Sequence, residues 1–581
     1  MRKAFSQIAK ILVPTLLVLP LAATAFSAVP GITGPTFNLT AQQGYLNQPD
    51  GEAIYSWGYG CNGTPTAFQP TLPNQNCPTM QVPGPTLIVT EGQAVSVTLL
   101  NGLPPAAGNT SILFPGFAVS TTGGVAGLLT QEAAPGGTVT YSFTATAPGT
   151  HPYYSGTQGD LQIEMGLYGA IIVLPATIPA NCSSTATTGG YHYLNAQAKA
   201  HWGEADFRLT NATGGKGAAY DHPASCYDRE YLFQWAEMDH RIHRQAEAQV
   251  AARAGCTAGT VGCSLEVQTE PYHPAYFLIN GRSMPDLMDP NFASEYPHQP
   301  YNGNPHMHPG ELTLIRTIGQ GRWQHPFHEH ANHVRILARD ANLELSGSTT
   351  AVSYTDGLTT TTAVTGRGLA GLLMFNTDTT PGESFDGIFY FTGRGLNWDP
   401  FGHHPGPDVG TGLDPLAHLG CTADANGYNT GDPTAVNFFE WCQDHNKPVQ
   451  VAPFGDVAAG GPATLPDPNV FTNGPWYGGT PYLGPDASLR AGATQACVGS
   501  PYGSPNPTTP SGAAGTPAVN TANCTPLNPA NVQANPANER GWAFMWHSHN
   551  EREITTNNVF PGGMLMMMLV DTREFVIDES L

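Results

Sequence analysis

The chain of 581 residues sets 22 Lys and Arg against 44 Asp and Glu, a formal net charge of −22. So acidic a surface argues against nucleic acid or anionic lipid as a partner, and the length predicts two to four domains. With 67 Gly, 52 Pro and only 11% charged residues, the composition fits a loop-rich β protein and not a helical one.

Residues 1–28 read as an export signal. Arg2, Lys3 and Lys10 precede an apolar run from Ile11 to Leu21, and Ala23-Thr24-Ala25 or Phe26-Ser27-Ala28 then offers small residues for cleavage. Pro14 and Pro20 break that run, which is short for a membrane span. The expectation is a secreted, periplasmic or cell-surface protein with no membrane insertion once the signal is cleaved. The ten cysteines fall as near neighbours, and in an exported chain disulfides are the default. The simplest pairing joins Cys61 to Cys77, Cys182 to Cys226, Cys256 to Cys263, Cys421 to Cys442 and Cys497 to Cys524.

Residues 31–175 read as short strands. Val95, Val97 and Leu99 alternate with Ser96 and Thr98, and Val139, Tyr141 and Phe143 alternate with Thr140 and Ser142. Period two with one apolar face is the mark of a half-buried strand. Residues 176–225 are Ala-, Thr- and Gly-rich and read as an interdomain connection. A second strand set begins at Tyr231–Trp235. Asp239 caps a helix predicted over 239–254, with Ile242, Ala246 and Val250 on one face and Gly255 ending it. Strands are expected at 276–280, 312–318, 334–338 and 385–391. From 401 to 537 periodicity fails, and four cysteines suggest an insertion held by disulfides. Strands return at 542–549 and 564–570.

Histidines concentrate in two segments, Gln324–His330 and Trp546–Glu553. Residues two apart in a strand share a face, so His328 and His330 point one way and His325 the other. His547 and His549 share a face, with Ser548 opposite. Two adjacent strands would bring four imidazoles together, a donor set that suits copper or zinc.

His325-Pro326-Phe327-His328-Glu329-His330 resembles the H-P-x-H-x-H motif in the last domain of laccases and other multicopper oxidases. Trp546 to Glu553 resembles their H-C-H-x-x-x-H motif. Gln81–Thr86, Glu91–Asn101 and Gly149–Val173 resemble strands of their first domain. The resemblance implies an all-β fold of two cupredoxin-like Greek-key sandwiches, the second with a long disulfide-bonded insertion. Residues 31–175 form the first domain, and 226–400 plus 538–575 the second, interrupted by the insertion at 401–537. Copper is the implied cofactor. Two-domain relatives build their copper cluster between subunits of a trimer, which implies a homo-oligomer here.

The departures from the family pattern are specific. Leu113, Pro115, Tyr154 and Gly156 stand where the first domain has histidine ligands. Ser548 stands where the type 1 copper has its cysteine, and Glu553 where it has its last histidine. Met564 corresponds to the axial position at a longer spacing. These losses predict the absence of laccase-type four-electron oxidation. They leave His328, His330, His547 and His549 as a half-cluster for one or two copper ions, with His325 as a subsidiary candidate. The alternative is a noncatalytic extracellular scaffold. His306-Met307-His308 and His403-His404 are expected in surface turns, and Met564, Met566, Met567 and Met568 in core packing. Glu551 and Glu553 are a candidate acid and base pair. The insertion is expected to lie against the histidine face near His547.

Overall fold

The structure, a computed structural model, describes residues 29–182, 191–346, 367–394, 421–435, 437–442, 479–483, 540–571, 573 and 575–579. Four sheets of five to seven strands pack in pairs as two β-sandwiches.

In the first sandwich one sheet runs Gly149–Tyr154, Tyr168–Leu174, Leu87–Thr90, Gly31–Thr33, Phe68–Gln69. The other runs Ala53–Cys61, Thr36–Asn47, Ala94–Asn101, Thr138–Thr144, Ser120–Gly123. The alternation read from sequence sets the register. Val97 lies opposite Tyr141 and Val95 opposite Phe143, all facing the core. Each such side chain taken from water contributes about 1.5–3 kcal/mol.

The second sandwich pairs a sheet of Tyr276–Ile279, Arg229–Met238, Leu312–Gly319, Ser384–Tyr390 and Val334–Arg339 with one that carries the histidines. In that sheet the order is His306–Met307, Leu565–Asp571, Arg540–Ser548, His325–Glu329, Asn376–Thr379. The strands at 325 and 547 are thus direct neighbours despite their wide separation along the chain. Between the sheets lie Phe233, Trp235, Phe327, Trp546, Met564, Met566 and Met568. Met564, Met566 and Met568 therefore fill core as expected, whereas Met567 in the final strand is only partly buried.

The helix His240–Ala252 is capped by Asp239, whose side chain accepts the Arg241 amide. Its Ile242 and Ala246 pack into the core of the first sandwich, so an element that follows a strand of the second sandwich clasps the other domain. Thr150 Oγ donates to Asp386 Oδ1 at 2.6 Å, and Gln320 Nε2 to the Gly169 carbonyl at 2.9 Å, across the same boundary.

Three readings are corrected or completed. The stretch 176–225 includes the helix Tyr191–Trp202, whose apolar residues do not gather on one face and so leave little periodic signal. The insertion contributes a strand, Gly479–Leu483, to the histidine-bearing sheet, and a disulfide-closed loop at 421–442 whose Phe438 and Phe439 pack against Leu314 and Ile388. That loop covers the outer side of the second sandwich, and most of 401–537, with its expected placement near His547, lies outside the described residues. Four expected disulfides are formed, Cys61–Cys77, Cys182–Cys226, Cys256–Cys263 and Cys421–Cys442. Residues 1–28, the Cys497–Cys524 pair and His403-His404 lie outside the described residues. Among the described residues, no helix is long and apolar enough to cross a membrane.

Candidate metal centre

The antiparallel pairing of His325–Glu329 with Arg540–Ser548 sets Phe327 opposite Ser548, His328 opposite His547 and Glu329 opposite Trp546. This register puts two imidazoles on one face directly across from each other. Phe327 and Trp546 point the other way, into the core, and their burial holds the register, because a one-residue slip would turn every histidine over.

His328, His330 and His547 offer ring nitrogens that all lie within 4.8 Å of one another. His547 Nε2 is 3.3 Å from His330 Nε2. Nitrogens of a tetrahedral site with bonds of about 2.0–2.1 Å stand roughly 3.3 Å apart, so this edge already has the spacing a metal needs. His547 Nδ1 donates to the Ser548 carbonyl at 2.7 Å, which leaves Nε2 to face the cluster. Ligating histidines commonly use the second ring nitrogen in this way. Burial, with a smaller repulsion from the neighbouring rings, holds the His328 imidazolium pKa down to about 4. His547 is lowered too, chiefly by burial. Neutral imidazole is the form that ligates.

His549 behaves differently. Its ring centroid lies 4.8 Å from that of His328, but its side chain is half exposed and the Glu551 carboxylate is 3.9 Å away. It stands at the rim, outside the group of three converging nitrogens.

His325, the subsidiary candidate, does not join the converging group. It lies on the opposite face, fully buried, with Nδ1 2.8 Å from Glu553 Oε2 and Nε2 2.8 Å from Glu237 Oε2. Both nitrogens are engaged by carboxylates, so neither lone pair faces a metal. Desolvation opposes the charge on His325, but the two carboxylates outweigh it and raise its pKa to about 9. Glu553 also accepts from Ser548 Oγ at 2.5 Å and from Asn550 Nδ2 at 2.8 Å. Glu551 is exposed and Glu553 buried, so the two do not form an acid and base pair. Met564 is core.

In the first sandwich Leu113 and Tyr154 exchange backbone hydrogen bonds of 2.7 and 3.3 Å. A Cβ on Gly156 would lie 2.8 Å from Leu113 Cγ. These aligned positions are neighbours in space, and a leucine side chain occupies the room between them.

His306 and His308 are buried, not in a surface turn. His306 Nδ1 meets Asp571 Oδ2 at 2.6 Å, and His308 Nε2 meets Glu204 Oε2 at 2.8 Å. They belong to a buried ionic cluster in which Arg229 bonds Glu204 and Glu311.

The sequence reading did not reach Glu237, Asn550, Tyr272 or Glu204. Glu237 left a signal, being a charged residue in the strand Arg229–Met238, which is rich in aromatic residues.

A family profile described as multicopper oxidase matches residues 76–177. Comparison with curated proteins found no match. Among solved structures, the multicopper oxidase mgLAC is 16% identical, with 61% of this chain and 74% of that chain covered and a TM-score of 0.33. The blue copper oxidase of Nitrosomonas europaea is 15% identical over 61% of this chain and 74% of its own, TM-score 0.33. The laccase of Botrytis aclada is 18% identical over 63% and 48%, TM-score 0.33. Similarity this weak carries no assignment of activity, which has to come from the residues of the site.

Proposed function

We propose that this chain, whose residues 76–177 carry a multicopper oxidase domain, is a secreted copper-binding protein without laccase-type four-electron oxidase activity. One copper ion is held by His328, His330 and His547, and His549 is the fourth donor within reach. The observation that carries this reading is the convergence of three imidazoles on one sheet face. Three nitrogen donors with a position open toward the rim are a ligand set that copper and zinc both accept, with copper favoured by the usual order of affinities.

Several features support the loss of four-electron chemistry. Leu113, Tyr154 and Gly156 offer no imidazole where the family has first-domain ligands, and His325, Ser548 and Glu553 bond one another where a thiolate site would need free donors. Bound copper would supply Lewis acidity and one-electron redox capacity. The chain's own residues favour neutral rings at His328 and His547, orient His547 and keep the inner side dry through Phe327 and Trp546. The four disulfides support export. Exposed Leu372, Leu373 and Phe375, with the Phe375 ring 5.8 Å from that of His328, support a homo-oligomer, the trimer of the resemblance, that covers this rim.

Elemental analysis of the protein loaded with copper and dialysed tests the reading. One ion per chain is expected, lost in His328→Ala and His547→Ala. No retained copper in the wild type would overturn it in favour of a noncatalytic scaffold.

A further inference from the structure

A chain of hydrogen bonds leads from the core to a ring of the metal centre. Glu237, on the strand Arg229–Met238, accepts through Oε1 from the backbone amides of Arg322 and Trp323 at 2.7 and 2.9 Å. Its Oε2 meets His325 Nε2, and His325 Nδ1 meets Glu553 Oε2, each at 2.8 Å. Glu553 Oε2 accepts from Ser548 Oγ. The Ser548 carbonyl accepts from His547 Nδ1 at 2.7 Å. The backbone is pinned at the same place, because the Ser548 amide donates to the Met564 carbonyl at 3.0 Å and the Met564 amide to the Glu553 carbonyl at 2.8 Å.

A carboxylate only accepts hydrogen bonds. An imidazole lying between two carboxylates satisfies both by carrying a proton on each nitrogen, as an imidazolium. Glu237, His325, Ser548 and Glu553 are all buried, and a buried charge persists only when paired and hydrogen-bonded. Gly321 leaves room for the arrangement, since a Cβ there would lie 2.1 Å from Glu237 Oε2.

We propose that Glu237, His325, Glu553 and Ser548 are positioning residues for the metal centre, a metal-free ionic chain that fixes the Ser548 carbonyl and thereby aims Nε2 of His547 at the ion. The proposal rests on the metal-binding reading above. Its logic is that of an outer shell, in which groups that touch no metal fix the tautomer and angle of a ligand, and whose loss typically costs about 10- to 100-fold in affinity. The chain continues to the other domain. Tyr272 lies within hydrogen-bond reach of both Glu237 Oε1, at 3.0 Å, and Glu164 Oε2, at 2.6 Å, so the first sandwich braces the same ligand.

The test uses the full-length oxidised protein. Copper affinity is measured by chelator competition, copper geometry by electron paramagnetic resonance, and ring protonation by ¹⁵N spectra of histidine-labelled, metal-free protein. His325 should show both nitrogens protonated at neutral pH. Ser548→Ala removes one hydroxyl and should keep the fold. It should weaken copper binding about tenfold, change the copper hyperfine pattern and shift the His547 Nδ1 signal. His325→Gln and Glu553→Gln should do more. A neutral His325, or a folded Ser548→Ala protein with unchanged affinity, hyperfine pattern and His547 signal, would overturn the proposal. Should the wild type take up no copper, the metal reading fails, and the chain is judged by the His325 and His547 signals alone.

Discussion

His328 and His547 stand directly opposite one another across two antiparallel strands, with ring centroids 5.3 Å apart. Their neighbours Phe327 and Trp546 point to the other side of the sheet, with ring centroids 5.9 Å apart. The pair of rings that faces the core thus keeps the pair of imidazoles in register, and packing and ligand geometry are set by the same two strands.

A graded loss of metal follows from the geometry. His328→Ala and His547→Ala each remove a converging nitrogen and should abolish stoichiometric copper binding. His549→Ala removes a rim residue and should lower affinity less, by about tenfold or under. Competition with a chromophoric chelator measures all three, and equal losses would place His549 among the primary ligands.

Spectroscopy should report nitrogen donors only. A soft thiolate is what makes a blue site, and Ser548 offers a hydroxyl already bonded to Glu553. Copper-loaded protein should lack the intense blue band. Ser548→Cys should not create it, because His325 remains bonded to Glu237 and Glu553. An intense visible band in that variant would show that the chain of bonds opens readily.

Alkaline pH should weaken the fold through His325. Its pKa is raised from 6.5 to about 9 by Glu237 and Glu553. A group whose folded pKa is raised stabilises fully below its unfolded value and loses that contribution as pH climbs through the folded one. Stability should therefore fall between pH 6.5 and about 9, with the loss complete just above the folded value. The contribution is of order 3 kcal/mol at about 1.36 kcal/mol per pKa unit. Thermal melts of wild type and Glu553→Gln across this window measure it, and parallel curves would assign the alkaline loss to other groups.

The loop at 421–442 should be an integral part of the second domain. Phe439 is fully buried, and its ring occupies the space a Cβ on Gly310 would need. Phe439→Ala should cost about 3–5 kcal/mol if the loop unfolds with the domain. Denaturant melts and limited proteolysis of the oxidised protein check this, and cleavage within 421–442 with no change in the midpoint would show an independent loop.

The strands and the histidine face were legible because they rest on local periodicity. The alternation of Val95, Val97 and Leu99, or of His328 and His330, is fixed by the pleat whatever the neighbours are. What was not legible depends on long-range pairing. Glu237 meets His325 across 88 residues, and Glu204 meets His308 across 104. No spacing rule connects such residues. His306 and His308 looked like a surface turn because their carboxylate partners come from Asp571 and Glu204. His549 shares a face with His547 by strand period, but the strand ends at Ser548, so the alternation rule lapses one residue too early for it.

The insertion strand Gly479–Leu483 pairs with residues 540–544 of Arg540–Ser548, while His325–Glu329 pairs with 546–548 of the same strand. The two partners lie end to end along one side of it. Without the inserted segment, half of that side would present unpaired amides and carbonyls. Such a bare margin is a template for another chain. Excising the insertion to simplify the protein would therefore do more than shorten it, because it would turn a closed sheet into an adhesive one and invite precipitation before any metal chemistry could be assayed.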